Sequence, residues 1–150
     1  MKPISIKSFF AKKKERKKKR LQKRKLLGSG PTKTQLTKKA DQIYSLYIRL
    51  RDKKKMCGIC NIRPVQVAYH LIPRNHFIVR WDEENGIGAC IGCNYGEKNN
   101  RLIYREKHIA LFGDRYNILE EKAKQPARFS RLDIIQIIAN LEAKLSQCRN

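Results

Sequence analysis

Two Cys-x-x-Cys pairs, Cys57 with Cys60 and Cys90 with Cys93, constrain the fold of this chain more than any other feature of its sequence. A spacing of two residues lets both thiolates of a pair bind one ion, and zinc prefers four such ligands in a tetrahedron. Four thiolates leave no open coordination position, so we expect a structural zinc site. The alternative is a pair of redox-active or unpaired dithiols.

The size of the chain makes such a site useful. At 150 residues it can form one domain, or one small domain with tails, and a small domain has a thin core that a metal ion reinforces. No stretch approaches the roughly 20 apolar residues of a membrane span, and residues 1–25 lack the apolar run of a signal peptide. We therefore expect a cytoplasmic protein with reduced cysteines, in which Cys148 is a spare thiol.

The charge of the chain is strongly positive, with 35 Lys and Arg against 13 Asp and Glu and a formal net charge of +22. The run Lys12–Lys25 holds eleven of the basic residues and one acid, Glu15, so the rest of the chain still carries +12. A field of this sign concentrates polyanions, of which DNA and RNA are the densest in a cell. We expect the partner to be nucleic acid and not an anionic membrane surface.

Composition divides the chain into a basic arm, residues 1–33, and a folded domain, residues 34–150. The arm is rich in lysine and poor in apolar residues, so we expect it to be disordered or partly helical. Apolar residues at helical spacing predict an amphipathic helix from Thr34 to Arg51. Its predicted apolar positions are Leu36, Ala40, Ile43, Tyr47 and Leu50.

The segment between the cysteine pairs predicts short extended elements, because β-branched and aromatic residues alternate with turn residues there. A short helix is expected to begin near Cys93. The expected strands are Val65–Tyr69, Phe77–Trp81 and Ile87–Ala89, the last of which follows an Asn85-Gly86 turn.

The last third of the chain is predicted to be helical. Arg101–Phe112 ends before a glycine, a common helix C-terminal signal, and Asp114 is expected to cap a second short helix. Ser130 and Asp133 have the spacing of a capping box that begins a third helix. We expect its apolar stripe to pack on the Thr34–Arg51 helix, with homodimerisation as the alternative. The predicted stripe is Leu132, Ile135, Ile138, Leu141 and Leu145.

Several short motifs together resemble the HNH nucleases. His70-Leu71-Ile72-Pro73 is a His-x-x-Pro sequence at an expected strand end, Asn85 precedes a short strand, and Asn94 directly follows the second cysteine pair. More narrowly, the chain from about Tyr44 to Gly113 resembles the phage recombination protein family NinG, also called Rap. The segments that carry this resemblance are Tyr47–Lys53, Arg80–Asn85, Cys90–Asn94 and Tyr104-Arg105, together with the first cysteine pair.

The resemblance implies an α+β fold in which a small zinc-braced ββα-metal (HNH-like) core is flanked by α-helices. It also implies a structure-selective DNA endonuclease that acts on branched recombination intermediates, Holliday junctions and displacement loops, in the bacterial host of a phage or prophage. On this mapping His70 is the general base, and Asn85 holds the loop that orients the imidazole. Asn94 binds or adjoins a catalytic Mg²⁺ or Mn²⁺ ion.

The chain departs from the HNH pattern at two metal-ligand positions. The last motif position is Asn94, a weaker ligand than His. Many HNH enzymes carry Asp or His just before the general base, where this chain has Tyr69. Glu97, three residues after Asn94, is the acid predicted to face the same site. Basic residues beside the motifs and in the arm are predicted to bind DNA. They are Arg74, Arg80, Lys98, Arg101, Lys12, Lys13, Lys14, Arg16, Lys17, Lys18, Lys19 and Arg20.

Three further residues near these motifs have ordinary structural interpretations. His76 is expected in a solvated loop beside the site, His108 on a helix in a packing or surface position, and Trp81 in the core. The alternatives are a phosphate contact for His76 and stacking on an unpaired base for Trp81.

Two other functional classes remain open. One is a non-catalytic zinc module that binds DNA or RNA through its charge, and the other is an interaction protein whose terminal helices recruit recombination proteins. Divalent-ion-dependent nicking of a four-way junction separates an enzyme from both. A homodimer with two-fold symmetry would suit paired nicks in a junction.

The basic arm generates the first test. Deleting residues 1–30 is expected to weaken binding to every DNA shape, because the arm carries a large share of the positive charge. The log–log salt dependence of binding should also flatten, since each phosphate contact contributes about 0.9 to the slope. Titrating labelled junction and linear duplex at several salt concentrations measures both effects. An unchanged slope would show that the arm does not contact DNA.

Overall fold

A computed structural model of the protein describes residues 14–19, 30–99 and 101–149, without the side chains of residues 97–99 and 101. The chain divides into two units between Pro31 and Thr32. In the first unit, residues 14–19 are helical and exposed, and Lys19 pairs with Glu15 at 2.9 Å. The predicted DNA contacts Lys12, Lys13 and Arg20 lie outside the described residues.

The second unit is a mixed α+β structure, as the sequence predicted, with a two-stranded antiparallel sheet and flanking helices. Two short 3₁₀ helices lie between the strands, at Phe77–Val79 and Glu83–Asn85. The other elements are α1 (Lys33–Arg51), β1 (Val67–His70), β2 (Gly86–Ala89), α2 (Ile91–Asn99), α3 (Arg101–Phe112), α4 (Asp114–Ala123) and α5 (Arg131–Gln147).

Helices α1 and α5 pack on one another and form one of the two hydrophobic cores. Each helix begins with a capping box, in which two residues each accept a hydrogen bond from the backbone N–H of the other through their side chains. The pairs are Thr32 with Gln35 in α1 and Ser130 with Asp133 in α5. Trp81 closes this core at 8% exposure, so its position agrees with the core assignment. The buried positions are Leu36, Ala40, Tyr44, Tyr47 and Ile48 in α1, and Ile134, Ile138, Leu141 and Leu145 in α5.

The prediction for the first turn of the apolar stripe on α5 was wrong. Leu132 is 75% and Ile135 44% exposed, whereas Ile134 is fully buried. The buried positions follow alternating spacings of four and three residues from Ile134 onward, which keeps them on one helix face. Leu132 lies two residues before that series, about 200° around the helix axis.

The second core lies between the sheet, the cysteine-rich segment and helices α3 and α4. Strands β1 and β2 pair from Val67 opposite Ala89 to His70 opposite Gly86. The expected strand Phe77–Trp81 is not extended, because a 3₁₀ turn at Phe77–Val79 replaces it. The Asn85 side chain bonds once to Val79 in that turn and twice to Ile72, so the loop folds back on itself.

Asp114 does not cap helix α4, contrary to expectation. It is the first helical residue, and the N-cap is Gly113, with φ of +48° and no side-chain cap. A φ in this range favours glycine, and the α3–α4 corner turns there within one residue. Within the described part of the chain, no helix combines the length and apolar character that crossing a membrane requires.

Strand β2 lies directly against α1, and this contact positions the sheet. A Cβ at Gly86 would lie 2.6 Å from Ile48 Cδ1, so no larger residue fits there without movement. Buried Asp52, the C-cap of α1, accepts a 2.9 Å hydrogen bond from the Gly88 N–H. Arg51 and Lys55 also donate to this carboxylate, at 2.7 and 2.9 Å.

Burial alone would raise the pKa of Asp52, but the bonds from Arg51, Lys55 and the Gly88 N–H outweigh it and lower the pKa to about 2. A lowered folded-state pKa means that ionised Asp52 stabilises the fold. The contribution is complete above the unfolded-state pKa of about 4 and is lost as the pH falls toward about 2.

Asp52→Asn is therefore expected to lower the free energy of unfolding by on the order of 2 kcal/mol at pH 7. The deficit should stay constant between pH 5 and 8 and shrink below about pH 4. Urea unfolding of both proteins across this range measures it. Glu142→Gln, at an exposed pair with Lys39, is the control and should change stability by less than about 1 kcal/mol. A deficit that does not vary with pH would contradict the assignment.

Candidate metal centre and catalytic cleft

The four paired cysteines converge on one point. Their sulfur atoms all lie within 4.8 Å of one another, and Cys57 and Cys90 are buried. Cys60 Sγ lies 3.9 Å from Cys90 Sγ, so the contact crosses between the two pairs. A zinc tetrahedron with Zn–S of about 2.3 Å has sulfur–sulfur edges of about 3.8 Å. The geometry fits this coordination, and the four cysteines could hold a zinc ion.

Backbone hydrogen bonds build the turn that carries each pair. The Cys57 N–H donates to Arg63 O at 2.7 Å, and Asn61, with φ of +50°, donates its N–H to Cys57 O at 2.8 Å. In the second pair the Cys93 N–H donates to Cys90 Sγ at 3.4 Å. These N–H groups point toward the sulfurs or close the loops around them, which is the arrangement a thiolate site requires.

The local electrostatics favour thiolates at part of the site. Backbone N–H groups of Ile62 and Arg63 lower the pKa of Cys60 to about 6. Burial raises the pKa of Cys93, and the neighbouring cysteines raise it further. Four sulfurs this close cannot all ionise without a positive charge among them, and a divalent cation supplies that charge.

The cysteine cluster also sets the geometry of a neighbouring cleft. Cys90 lies between β2 and α2, and Cys93 lies in the first turn of α2. Because Ala89 pairs with Val67, the start of α2 is held beside the start of β1. The cleft has a volume of about 450 Å³. It is lined by Asp41, Ser45, Arg49, Gln66, Val67, Ala68, His70, Arg74 and Asn94.

His70 lies at the end of β1 and is oriented by one hydrogen bond. Its Nε2 lies 3.1 Å from the Arg80 carbonyl oxygen. A carbonyl can only accept, so Nε2 carries the proton and Nδ1 keeps its lone pair. Burial lowers the pKa of His70 to about 4, and the positive charges of Arg74 and Arg80 act in the same direction. His70 is thus a neutral base at physiological pH, with its ring 5.1 Å from that of Tyr44.

Asn85 holds the loop that follows His70. Its fully buried side chain accepts a hydrogen bond from the Ile72 N–H at 2.7 Å and donates to Ile72 O and Val79 O, both at 2.9 Å. These bonds join the two ends of the loop between β1 and the 3₁₀ turn. The role mapped onto Asn85 by resemblance, holding this loop, is compatible with its contacts.

Asn94 lines the cleft with His70, whereas Tyr69 does not. Because side chains alternate along a strand, Tyr69 points to the opposite face of β1. It is buried there, with its hydroxyl 2.9 Å from Nε2 of buried His108. His108 is therefore a packing residue, in line with the expectation.

The other predicted site residues fall into three groups. Arg74 lines the cleft and is exposed, while the guanidinium of Arg80 is bound to Asp41 at 2.6 and 2.8 Å. His76 lies outside the cleft lining, and its Nδ1 is 3.3 Å from Ala123 O. The side chains of Glu97, Lys98 and Arg101 lie outside the described residues, so the structure does not place them.

Helix α1 contributes cleft residues that the sequence analysis missed. Asp41, Ser45 and Arg49 line the cleft at intervals of four residues, which places them on one face of the helix. This spacing is a signal that the sequence carries. The sequence predicted only the apolar face of this helix, because nothing in the sequence places α1 beside β1.

A family model described as NinG, bacteriophage Lambda NinG protein, matches residues 5–150 of this chain. The match includes both cysteine pairs, the loop held by Asn85 and every residue that lines the cleft. No curated protein and no solved structure matches the chain.

Purified protein is expected to contain one tightly bound zinc ion per chain. Structural zinc contributes about 10–16 kcal/mol at neutral pH, comparable to or larger than the usual stability of a domain. Removing the ion, or changing Cys90→Ser, should therefore abolish cooperative unfolding, as measured by circular dichroism with elemental analysis. Cys148→Ser, at the exposed fifth cysteine, is the matched control and should alter neither measurement. A protein that stays folded without metal would contradict the assignment.

Proposed function

Because this chain belongs to the bacteriophage Lambda NinG family, a phage recombination-related family, we propose that it is a metal-dependent endonuclease that cuts branched DNA. The observation that carries the proposal is the state of His70 in the cleft. Its Nε2–H is held by the Arg80 carbonyl, burial keeps the ring neutral, and Nδ1 is left able to accept a proton.

His70 acts as the general base. Nδ1 takes a proton from a water molecule, and the resulting hydroxide attacks the phosphorus in line with the departing 3′ oxygen. The bond to Arg80 O fixes the tautomer, so the ring does not have to reorient before proton transfer. The departing 3′ oxygen takes a proton from water, and the imidazolium of His70 returns its proton to solvent, so the products carry 5′-phosphate and 3′-hydroxyl ends.

A divalent ion completes the site. Mg²⁺ and Mn²⁺ prefer oxygen donors, and Mg²⁺ commonly takes few protein ligands together with water and substrate phosphate. The carboxamide of Asn94 is one such donor in the cleft, and the phosphodiester and water would supply the other oxygen donors. When bound, the ion supplies positive charge to the phosphate and the leaving oxygen.

Two arginines of the cleft, Arg49 and Arg74, bind the phosphate groups of the substrate. They lie on α1 and on the loop after β1, so they approach the cleft from different elements. Arg49 donates through Nε to Ser45 O on its own helix, which leaves its two NH₂ groups for a phosphate. The bidentate fork of arginine suits this geometry.

Branched DNA is the proposed substrate for two reasons. Recombination produces it, and the chain carries positive charge well beyond the cleft. The basic arm and the cleft arginines would each add phosphate contacts with the DNA. Paired nicks on a four-way junction would be made by two copies of the chain, and other recombination proteins of the phage are candidate partners.

One observation favours a second function, a zinc module that binds nucleic acid without cutting it. Among the described residues, Asp41 is the carboxylate that lines the cleft, and Arg80 and Trp81 already occupy it. A hard cation usually takes at least one carboxylate. Tight junction binding without cleavage under Mg²⁺ or Mn²⁺ would support this second function.

The endonuclease proposal predicts that His70→Ala abolishes nicking of a labelled four-way junction while binding is retained. A positioned base contributes about 10²–10⁴-fold in rate, so a loss of at least that size is expected. His76→Ala is the matched control, because that histidine lies in the neighbouring loop but not in the cleft lining. Cleavage that survives in His70→Ala, or is lost equally in His76→Ala, would contradict the assignment.

A further inference from the structure

We propose that Asp41 is the positioning residue for His70, acting through the main-chain carbonyl of Arg80. The inference rests on the proposed function, because it explains how the general base is held. It also gives Arg80 a different role from the DNA contact that its charge predicts. Three steps of geometry connect the carboxylate on α1 to the imidazole on β1.

The first step joins α1 to the loop. The two carboxylate oxygens of Asp41 accept hydrogen bonds from Arg80 Nε at 2.8 Å, from an Arg80 NH₂ group at 2.6 Å and from Trp81 Nε1 at 2.9 Å. The ion pair is bidentate and largely shielded, with side-chain exposures of 15% for Arg80 and 20% for Asp41. Such a pair fixes orientation as well as distance.

The second step fixes the backbone between the anchored side chains. Val79 O accepts a hydrogen bond from Asn85 at 2.9 Å, and the side chains of Arg80 and Trp81 are held by Asp41. The other Arg80 NH₂ group donates to Arg74 O at 2.9 Å, which joins the same residue to the start of the loop. The Arg80 carbonyl therefore lies within a segment that is anchored on both sides.

The third step is the contact of His70 Nε2 with that carbonyl, at 3.1 Å. In the described part of the chain this is the hydrogen bond that sets the tautomer of the ring. If Arg80 were an unpaired surface residue, its carbonyl could move with the loop. Asp41 removes that freedom, so the base nitrogen Nδ1 is kept ready before substrate binds.

This arrangement distinguishes Asp41 from a metal ligand and Arg80 from a phosphate contact. The two charges neutralise each other. Both side chains are also largely buried, so neither readily leaves the pair to bind a metal ion or a phosphate. Substituting Asp41 and substituting Arg80 should therefore have the same effect. A metal ligand or a DNA contact would produce different effects at the two ends.

The first experiment needs no activity. Long-range ¹H–¹⁵N spectra of the zinc-loaded full-length protein report the tautomer of His70 from its two ring nitrogens. The native protein should show one Nε2–H form, and Asp41→Asn and Arg80→Ala should each show both tautomers in exchange. Glu142→Gln, which breaks an exposed pair with Lys39 between α1 and α5, should leave the spectrum unchanged. An unchanged His70 spectrum in Asp41→Asn would overturn the inference.

The second experiment uses junction cleavage. Asp41→Asn and Arg80→Ala should each lower kcat by about 10- to 100-fold, the usual effect of a misplaced catalytic group, with the Kd for the junction and the Mn²⁺ dependence unchanged. Asp41→Glu should restore part of the rate. In the His70→Ala background neither change should lower the residual rate further, because all three would act through one base.

The outcomes separate this inference from the proposed function. If the native protein cuts no junction under Mg²⁺ or Mn²⁺, the endonuclease proposal fails, and the nitrogen spectra still decide whether Asp41 sets the tautomer. If it cuts, a weaker Mn²⁺ dependence in Asp41→Asn alone would make Asp41 a metal ligand. A raised Kd and a lower salt slope in Arg80→Ala alone would make Arg80 a DNA contact. Either result overturns the inference.

Discussion

Four sulfur atoms within 4.8 Å of one another hold together parts of the chain that its sequence keeps apart. The first pair is tied to the sheet, since the Gly58 N–H donates to Gly88 O at 2.9 Å. In the second pair, Cys90 joins β2 to α2 and Cys93 lies in the first turn of α2. With a zinc ion among the sulfurs, the strand end that carries His70 and the helix that carries Asn94 become the two walls of one cleft. A sheet of two four-residue strands could not hold that geometry alone.

Helix α1 supplies the third wall of the cleft and three of its polar lining residues, Asp41, Ser45 and Arg49. Its C-cap, Asp52, is bonded to β2, and Gly86 lets the strand lie against Ile48. These contacts fix the rotation of α1, so that Asp41, Ser45 and Arg49 face His70. The helix is held from its other side by α5, through a core that closes with Trp81. Packing far from the cleft therefore determines which side chains enter it.

The cleft differs from the expected HNH pattern in a way the fold explains. The position before His70 holds Tyr69, and the alternation of side chains along β1 turns Tyr69 away from the cleft toward His108. A carboxylate is present nevertheless, contributed by α1 and neutralised by Arg80. The carboxylate of Asp41 is thus used in an ion pair within the protein. This difference is the basis both of the competing binding-module proposal and of the role inferred for Asp41.

Local patterns in the sequence were enough for much of this protein. The cysteine spacing predicted the metal centre, capping residues and helical periodicity placed α1, α3 and α5 to within a residue or two, and short motifs indicated the NinG family that the family model confirms. Each of these depends on residues a few positions apart. The tertiary structure alone decided the phase of the α5 stripe at Ile134, the 3₁₀ turn at Phe77–Val79, and the presence of Asp41 in the cleft. The stripe phase and the place of Asp41 depend on surfaces that are distant in sequence, since the bond between Arg80 and Asp41 spans 39 positions. The turn depends on Asn85, whose side chain bonds to residues 6 and 13 positions away. No local propensity carries that information.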